Sequence, residues 1–441
     1  MSLNRTKWWL IAWVFVFLTA APVSAQGVRD MALFAEPNLS TYGGGPRPNE
    51  GLFFTFDWLW WGVTPPTLTK IGDPTIEPVT VYTGVDSSFE ERNSVDTGFL
   101  TSQFREGQRI ELGAMMEHHG WLFSGFRVTP QEHTLLTRQA HVLFKDEINK
   151  PIGFLEGYVD AARVWRLPNG RLPRLPTIFN YLKAENMTEP WSVELMYVYR
   201  THPTHRGSQI EFFFGARYME LNDRFRVWGL SEPPIPPDPE GDTPDPPGPG
   251  VPTTGGDDRF GGGGSEYIGR DNGVPPAPIT LTPVNILSDS WWSSYAQNHI
   301  VGPQIGARVF HTWGRWTLNT EGRFFAGFNR QNFRLDGMLA SRANPPPTTA
   351  GLPEVMTPTW FSHHATLDDF TPGAELRVEA VLQLTKNMSL KAGWTGVYLG
   401  HVARAANVID YQMPTMGLNL QDTTRQSVWL NGVNVGLSIN R

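Results

Sequence analysis

The stretch that decides the fold is Ala374-Glu375-Leu376-Arg377-Val378-Glu379-Ala380-Val381-Leu382-Gln383-Leu384-Thr385. Ala374, Leu376, Val378, Ala380, Leu382 and Leu384 fall on one face; Glu375, Arg377, Glu379 and Gln383 fall on the other, and only Val381 breaks the pattern. Side chains alternate sides along a strand, so a period of two predicts a β-strand with one apolar and one wet face. A turn at Lys386-Asn387-Met388 follows. Then Leu390, Ala392, Trp394 and Tyr398 oppose Ser389, Lys391, Gly393 and Thr395, which predicts a hairpin.

The same signature recurs in both directions from there. Ile305, Ala307 and Val309 oppose Gln304 and Arg308; beyond Trp313-Gly314-Arg315, Trp316, Leu318, Phe324, Ala326 and Phe328 oppose Thr317, Asn319, Glu321 and Arg323. Val193, Leu195, Tyr197 and Tyr199 oppose Glu194 and Arg200; Ile210, Phe212, Phe214, Ala216 and Tyr218 oppose Glu211 and Arg217. Ile110, Leu112, Ala114 and Met116 oppose Arg109 and Glu111, and a turn at His118-His119-Gly120 leads into Trp121–Val128. Gly51–Trp61 reads as the first strand and Val428–Ile439 as the last. These make ten strands; a less regular hairpin, Ala140–Lys145 with Ile152–Val164, would make about twelve.

Short turns near 118, 203, 313 and 387 alternate with long segments at 63–106, 229–295, 329–370 and 403–426. Membrane barrels have this asymmetry, with short periplasmic turns and long external loops, whereas long structureless loops are rare in compact soluble domains. Segments of about eleven residues, tilted by roughly 40°, match an apolar band about 25 Å tall. Aromatics near the strand ends (Trp121, Tyr199, Trp313, Trp316, Trp429 and the group Trp58, Trp60 and Trp61) suit interfacial girdles. A soluble sandwich also has one apolar face per strand; these three features favour a single transmembrane, antiparallel, up-and-down β-barrel over residues 51–441.

The chain has no Cys, so disulfides and thiolate chemistry are excluded. Its net charge is −7, which argues against nucleic-acid binding. The acidic excess resides in 231–275, a Pro/Gly-rich segment with Glu232, Asp238, Glu240, Asp242, Asp245, Asp257, Asp258, Glu266 and Asp271 against Arg259 and Arg270. That composition predicts a disordered external loop rather than a linker between domains, because like strands flank it. At the N-terminus Arg5 and Lys7 precede an apolar run, Trp8–Ala21, and Val23-Ser24-Ala25 precedes Gln26. This is the layout of a signal peptide over 1–25, cleaved between Ala25 and Gln26, with 26–50 as a flexible lead.

The wet faces carry both signs: Arg109, Glu111, Glu194, Arg200, Glu211, Arg217, Arg308, Glu321, Arg323, Glu375, Arg377, Glu379 and Lys391. They are the expected lumen-facing residues. They fit either a mixed-charge pore for small polar solutes or a filled barrel in which they pair and nothing passes. The histidine pairs His118-His119, His202 with His205, and His363-His364 fall in expected turns or a loop, too few in one place for a metal site. No nucleophile elbow, P-loop or dinucleotide fingerprint is present, so neither catalysis nor a cofactor is expected.

Four segments carry a family resemblance. They are Asp289-Ser290-Trp291-Trp292 through Asn298–Gly306; Gly215–Glu220 with Asp223-Arg224-Phe225; Gly322–Asn329; and Gly432–Leu437. In this order they resemble a family of beta-barrel porins found in planctomycete bacteria. The resemblance implies an outer-membrane location, the lipid bilayer and the barrel-insertion machinery as partners, and a porin-like role without a defined substrate. The readings that remain are a passive diffusion channel, a closed structural or surface-interaction barrel, and a soluble secreted β-rich binding protein.

Overall fold

The computed structural model describes residues 51–75, 79–82, 88–144, 178–202, 204, 208–230, 289–339, 359–385, 387–412, 415–421 and 424–440. The expected signal peptide with Ala25 and Gln26, the lead, the 231–275 loop and the segment Ile152–Val164 lie outside them.

Eleven strands form one antiparallel sheet. They are β1 (Gly51–Val63), β4 (Arg105–Met116), β5 (His119–Val128), β6 (Gln131–His141), β7 (Ile178–Arg200), β8 (Ser208–Leu230), β9 (Ser290–Trp313), β10 (Trp316–Leu339), β11 (Thr359–Gln383), β12 (Met388–Ala403) and β15 (Arg425–Asn440). The intervening labels belong to two small hairpins, β2 (Val79–Tyr82) with β3 (Ser88–Glu91) and β13 (Ile409–Asp410) with β14 (Gly417–Leu418).

The sheet closes on itself. Its order is β5-β4-β1-β15-β12-β11-β10-β9-β8-β7-β6, and β5 also pairs with β7. β5 and β6 lie end to end along β7: His119–Arg127 pairs with Trp191–Tyr199, and Gln131–His141 with Ile178–Thr188. Pro130, which has no N–H to give to a ladder, sits at the joint. Eleven strands thus fill ten positions around the ring. First and last strands seal it, with Phe53 opposite Asn440 and Val63 opposite Leu430.

The connections at one end are tight. Glu117-His118 joins β4 to β5, and Gly314-Arg315 joins β9 to β10. Gly314 has φ +60°, the left-handed conformation such hairpins require and glycine adopts without strain.

Five consecutive strands are longer than the alternation in their lower halves suggests: β7 and β8 have 23 residues, β9 and β10 have 24, and β11 has 25. The segments 229–295 and 329–370 are therefore not all loop. The reason is visible in β10. Its outward face runs Trp316, Leu318, Phe324, Ala326 and Phe328, then Arg330, Asn332, Arg334 and Asp336. Its inward face runs Thr317, Asn319, Glu321 and Arg323, then Phe333, Leu335 and Leu339. The period of two never breaks; the two faces exchange polarity.

That exchange marks a boundary around the ring. Tyr218, Val301, Phe328 and Phe370 are register neighbours on β8 to β11, and the next outward row is Glu220, His299, Arg330 and Asp368. From Trp316 to Phe328 the strand rises roughly 28 Å at about 3.3 Å per residue and a tilt near 45°, the height of a bilayer's hydrocarbon core. Trp121, Tyr199, Trp313 and Trp316 stand exposed at the lower edge of this band. Tyr398 and Trp429, with ring centroids 5.0 Å apart, stand on neighbouring strands at the upper ends of β12 and β15. Trp61 does not belong to a girdle: it points inward and is fully buried, while Trp58 and Trp60 face out.

Candidate functional site: the barrel interior

The thirteen residues expected to face the lumen all lie on the inward face, and each is 0–6% exposed. They do not line an open bore; they join hands across it. One chain of ion pairs runs Arg200–Glu211–Arg308–Glu321–Arg323–Glu194. A second runs Arg217–Glu375–Arg377–Glu111–Lys391 and on through Asp57, Arg109 and Glu379.

Several links span the barrel. Arg217 Nη1 on β8 reaches Glu375 Oε2 on β11 at 2.6 Å, over β9 and β10. Arg323 on β10 pairs with Glu194 on β7, over β8 and β9. Arg109 Nη2 on β4 meets Glu379 Oε1 on β11 at 3.5 Å.

Asp57 is the charge that alternation along the sequence does not single out. It is fully buried, accepts from Arg109 Nε at 3.0 Å, and has Lys391 Nζ at 3.4 Å. Its inclusion balances the belt. Arg109, Arg200, Arg217, Arg308, Arg323, Arg377 and Lys391 are seven cations; Asp57, Glu111, Glu194, Glu211, Glu321, Glu375 and Glu379 are seven anions. An unpaired buried charge costs several kcal/mol, so such a layer is tolerable only when every member has a partner.

The belt is interleaved with apolar side chains, and the order can be walked along the inward face of β8, where Glu211 of the belt lies below Phe213. Phe213 belongs to a cluster with Phe53, Met115, Leu122, Met196 and Val198. Arg217 is in the belt. Met219 and Leu221 join Leu59, Trp61, Phe126, Ile300, Phe325 and Leu399. Aromatic faces cover guanidinium groups of the belt: Arg308 lies 5.0 Å from the Phe213 ring and Arg217 5.2 Å from that of Phe325. Cation–π contact of this kind seals a charge layer without exposing it to water.

Above these comes a second polar layer. Asp223 accepts from Arg404 Nε at 3.0 Å and from the Ala405 N–H at 2.9 Å. Arg404 also donates to the Thr188 hydroxyl (3.1 Å) and the Thr64 carbonyl (2.8 Å). Asn298 accepts from the Ala403 N–H and donates to the Ala403 carbonyl. These contacts hold the segment that follows β12 inside the ring. Arg404 was not separable from a loop residue in the sequence, because its partners on β7 and β8 lie 181 or more residues away.

The topmost layer is apolar. Phe225, Val227, Trp292, Phe333, Leu335 and Phe361 on the tall wall pack against Ile71 and Val95 from one connection and Ala405, Ala406, Val408, Ile409, Tyr411 and Met416 from another. These described parts of two connections are tucked into the mouth. Burial pushes the Tyr411 hydroxyl pKa upward.

The histidines stay apart from this interior. His118 Nδ1 meets the Arg200 carbonyl at 3.0 Å, and its ring packs on His202 at 4.2 Å. His363 and His364 are in β11, not in a loop; His363 Nε2 meets the Thr415 carbonyl at 2.9 Å. His205 lies outside the described residues. Among the described residues no three His, Asp or Glu side chains are grouped as a metal site would need.

Residues 282–440 match the Putative beta barrel porin-7 family. The matched segment spans β9 to β15, which includes Arg308, Glu321, Arg323, Glu375, Arg377, Glu379 and Lys391 of the belt. No curated protein matches the chain. Among solved structures, the chain is similar to the outer membrane protease OmpT from Escherichia coli, at 7% identity over 89% of this chain and 98% of that one, with a TM-score of 0.39. It is also similar to the CymD monoaromatic hydrocarbon channel (8%, 89% of each chain, TM-score 0.24). A FadL homologue from Pseudomonas aeruginosa gives 9% identity over 92% of this chain and 98% of that one, with a TM-score of 0.27. The ring, its outward apolar band and its girdles make this an outer-membrane-type β-barrel by the geometry of the chain itself.

Proposed function

We propose that this chain is a closed barrel of the outer membrane, exported there, that anchors a tall outer wall and a capped mouth at the surface. The observation that carries this reading is the belt of seven cations and seven anions, paired across the bore and sealed by aromatic rings. A wide bore would leave such side chains hydrated; these are almost wholly buried. A soluble secreted protein would leave the outward band of Leu, Val, Phe and Trp in water, which disfavours that alternative. The reading includes no catalytic role.

The porin-family segment favours a second reading, passive diffusion of small polar solutes through a mixed-charge lumen once the belt parts. Planar-bilayer recording with the purified barrel decides between them. The closed reading expects a folded, heat-modifiable protein with no steady conductance. Sustained unitary steps in the wild-type protein would overturn it in favour of the channel.

A further inference from the structure

The outer wall of β8 to β11 carries two features the closed interior does not use. The first is a set of arginines. Arg224, Arg226 and Arg330 face outward above the apolar band, and among the described residues none has a carboxylate in ion-pair range, whereas every belt cation has one. Arg226 Nη2 donates to the Tyr295 hydroxyl at 3.2 Å, and Arg224 Nη2 sits 3.9 Å from the Met187 sulfur. The nearby carboxylates are mostly engaged: Glu220 by Tyr218 and Asn222, Asp336 by Arg334 and Ser362, and Glu185 by Lys183; Asp368, the register neighbour of Arg330, is exposed and outside ion-pair range of it.

The second feature is a row of large side chains near the rim. Trp228, Trp291, Met338 and Trp360 are register neighbours on four adjacent strands and share the outward face. Trp360 is 58% exposed, and its ring centroid is 6.2 Å from that of Trp291. A band of polar rows separates this row from the lipid-facing one, so it is not a girdle.

From bottom to top the wall thus presents apolar side chains, then arginines that no described carboxylate pairs, then tryptophan side chains. We propose that this wall binds a phosphorylated glycolipid of the surrounding leaflet, whose acyl chains, phosphates and sugar rings come in that same order. Guanidinium groups recognise phosphate oxygens, and an indole face packs on the apolar face of a sugar ring. Height decides against a simple phospholipid. Arg330 stands about 5 Å above the last apolar row, but Arg224 and Arg226 stand roughly 14 to 19 Å above it. A phospholipid headgroup zone is only about 5 to 8 Å deep and reaches Arg330 alone. The inference rests on the barrel standing in a membrane, and it is independent of whether the bore conducts.

The test uses the full-length mature barrel in detergent with three probes: lipopolysaccharide, the same lipopolysaccharide enzymatically dephosphorylated, and phosphatidylglycerol. The readout is the concentration of each that half-saturates the rise in unfolding temperature, followed by heat-modifiable gel mobility. Lipopolysaccharide is expected to act at about tenfold lower concentration than either other probe, a difference of about 1.4 kcal/mol. Arg224→Ala with Arg226→Ala is expected to abolish that advantage, and so is Trp291→Ala with Trp360→Ala, while the phosphatidylglycerol response stays unchanged and reports that each variant is folded. An equal response to lipopolysaccharide and phosphatidylglycerol in the wild type would overturn the proposal, and so would a double-arginine variant that keeps the full lipopolysaccharide advantage.

Discussion

Arg377 on β11 donates through Nη1 to Glu111 Oε1 on β4 at 2.6 Å, and the sheet order places β12, β15 and β1 between those strands. The bond therefore crosses the lumen. Removing one end strands the other in a buried site. Glu111→Ala or Arg377→Ala is expected to lower stability by about 3–5 kcal/mol. The double variant Glu111→Leu with Arg377→Met is expected to recover much of the loss, because apolar residues of similar volume need no partner. Equilibrium urea unfolding of the three proteins in the same lipid checks this.

Loss of bulk should matter to the bore as well as to stability. Arg217→Ala with Glu375→Ala deletes a pair that spans β8 to β11 while leaving the belt neutral. If the belt is what closes the barrel, this variant is expected to show steady steps in a planar bilayer where the wild type shows none. A silent variant that still folds would place the closure in the upper layers instead.

The polarity exchange on the outward face makes a positional prediction. Leu376 faces lipid midway up the band; Thr366 faces out beyond the Phe328–Phe370 row. Leu376→Arg is expected to destabilise the folded barrel by roughly 2–4 kcal/mol, and Thr366→Arg by about 0–1 kcal/mol. Folding titrations into vesicles measure both. Equal costs would mean the boundary is misplaced.

One loop contact should respond to acid. Lys70 donates to Asp96 at 3.1 Å, and the Gly98 N–H also bonds the Asp96 carboxylate; the lysine first and the amide second hold its pKa below the ordinary 3.8. A depressed folded pKa means the bond stabilises the native loop above the ordinary value and is lost as pH falls through the folded one. The pair is exposed, so its contribution is under about 1 kcal/mol. Amide exchange around Gly98 is expected to quicken below about pH 4 in the wild type and to be pH-insensitive there in Asp96→Asn, once intrinsic exchange is corrected.

The lower half of the barrel was legible because most strands there have one consistent face. Leu376 and Val378 against Glu375 and Arg377 leave no other arrangement. The upper half was harder because the sense reverses. Thr366 and Asp368 now face out while Ala365 and Leu367 face in, so a window centred on residue 370 averages to nothing. Asp57 was hidden for another reason: Phe56, Trp58, Leu59, Trp60 and Trp61 make both faces of β1 apolar, and only pairing with Arg109 across the ladder shows which way it points. The face bearing the belt was readable, but its closure was not, since no spacing along the chain says that Glu111 and Arg377 meet.

The adjoining rows ending at Phe370 and Asp368 also set how deep the molecule rides. A push inward by one row would drag Glu220, Arg330 and Asp368 into hydrocarbon; a pull outward would lift Tyr218, Val301, Phe328 and Phe370 into water. Both displacements are uphill, by several kcal/mol for the charges and by about 1.5–3 kcal/mol for each large apolar side chain. The barrel consequently floats at one fixed draught, with its rim held some 25 Å above the hydrocarbon by the length of β10 above Phe328.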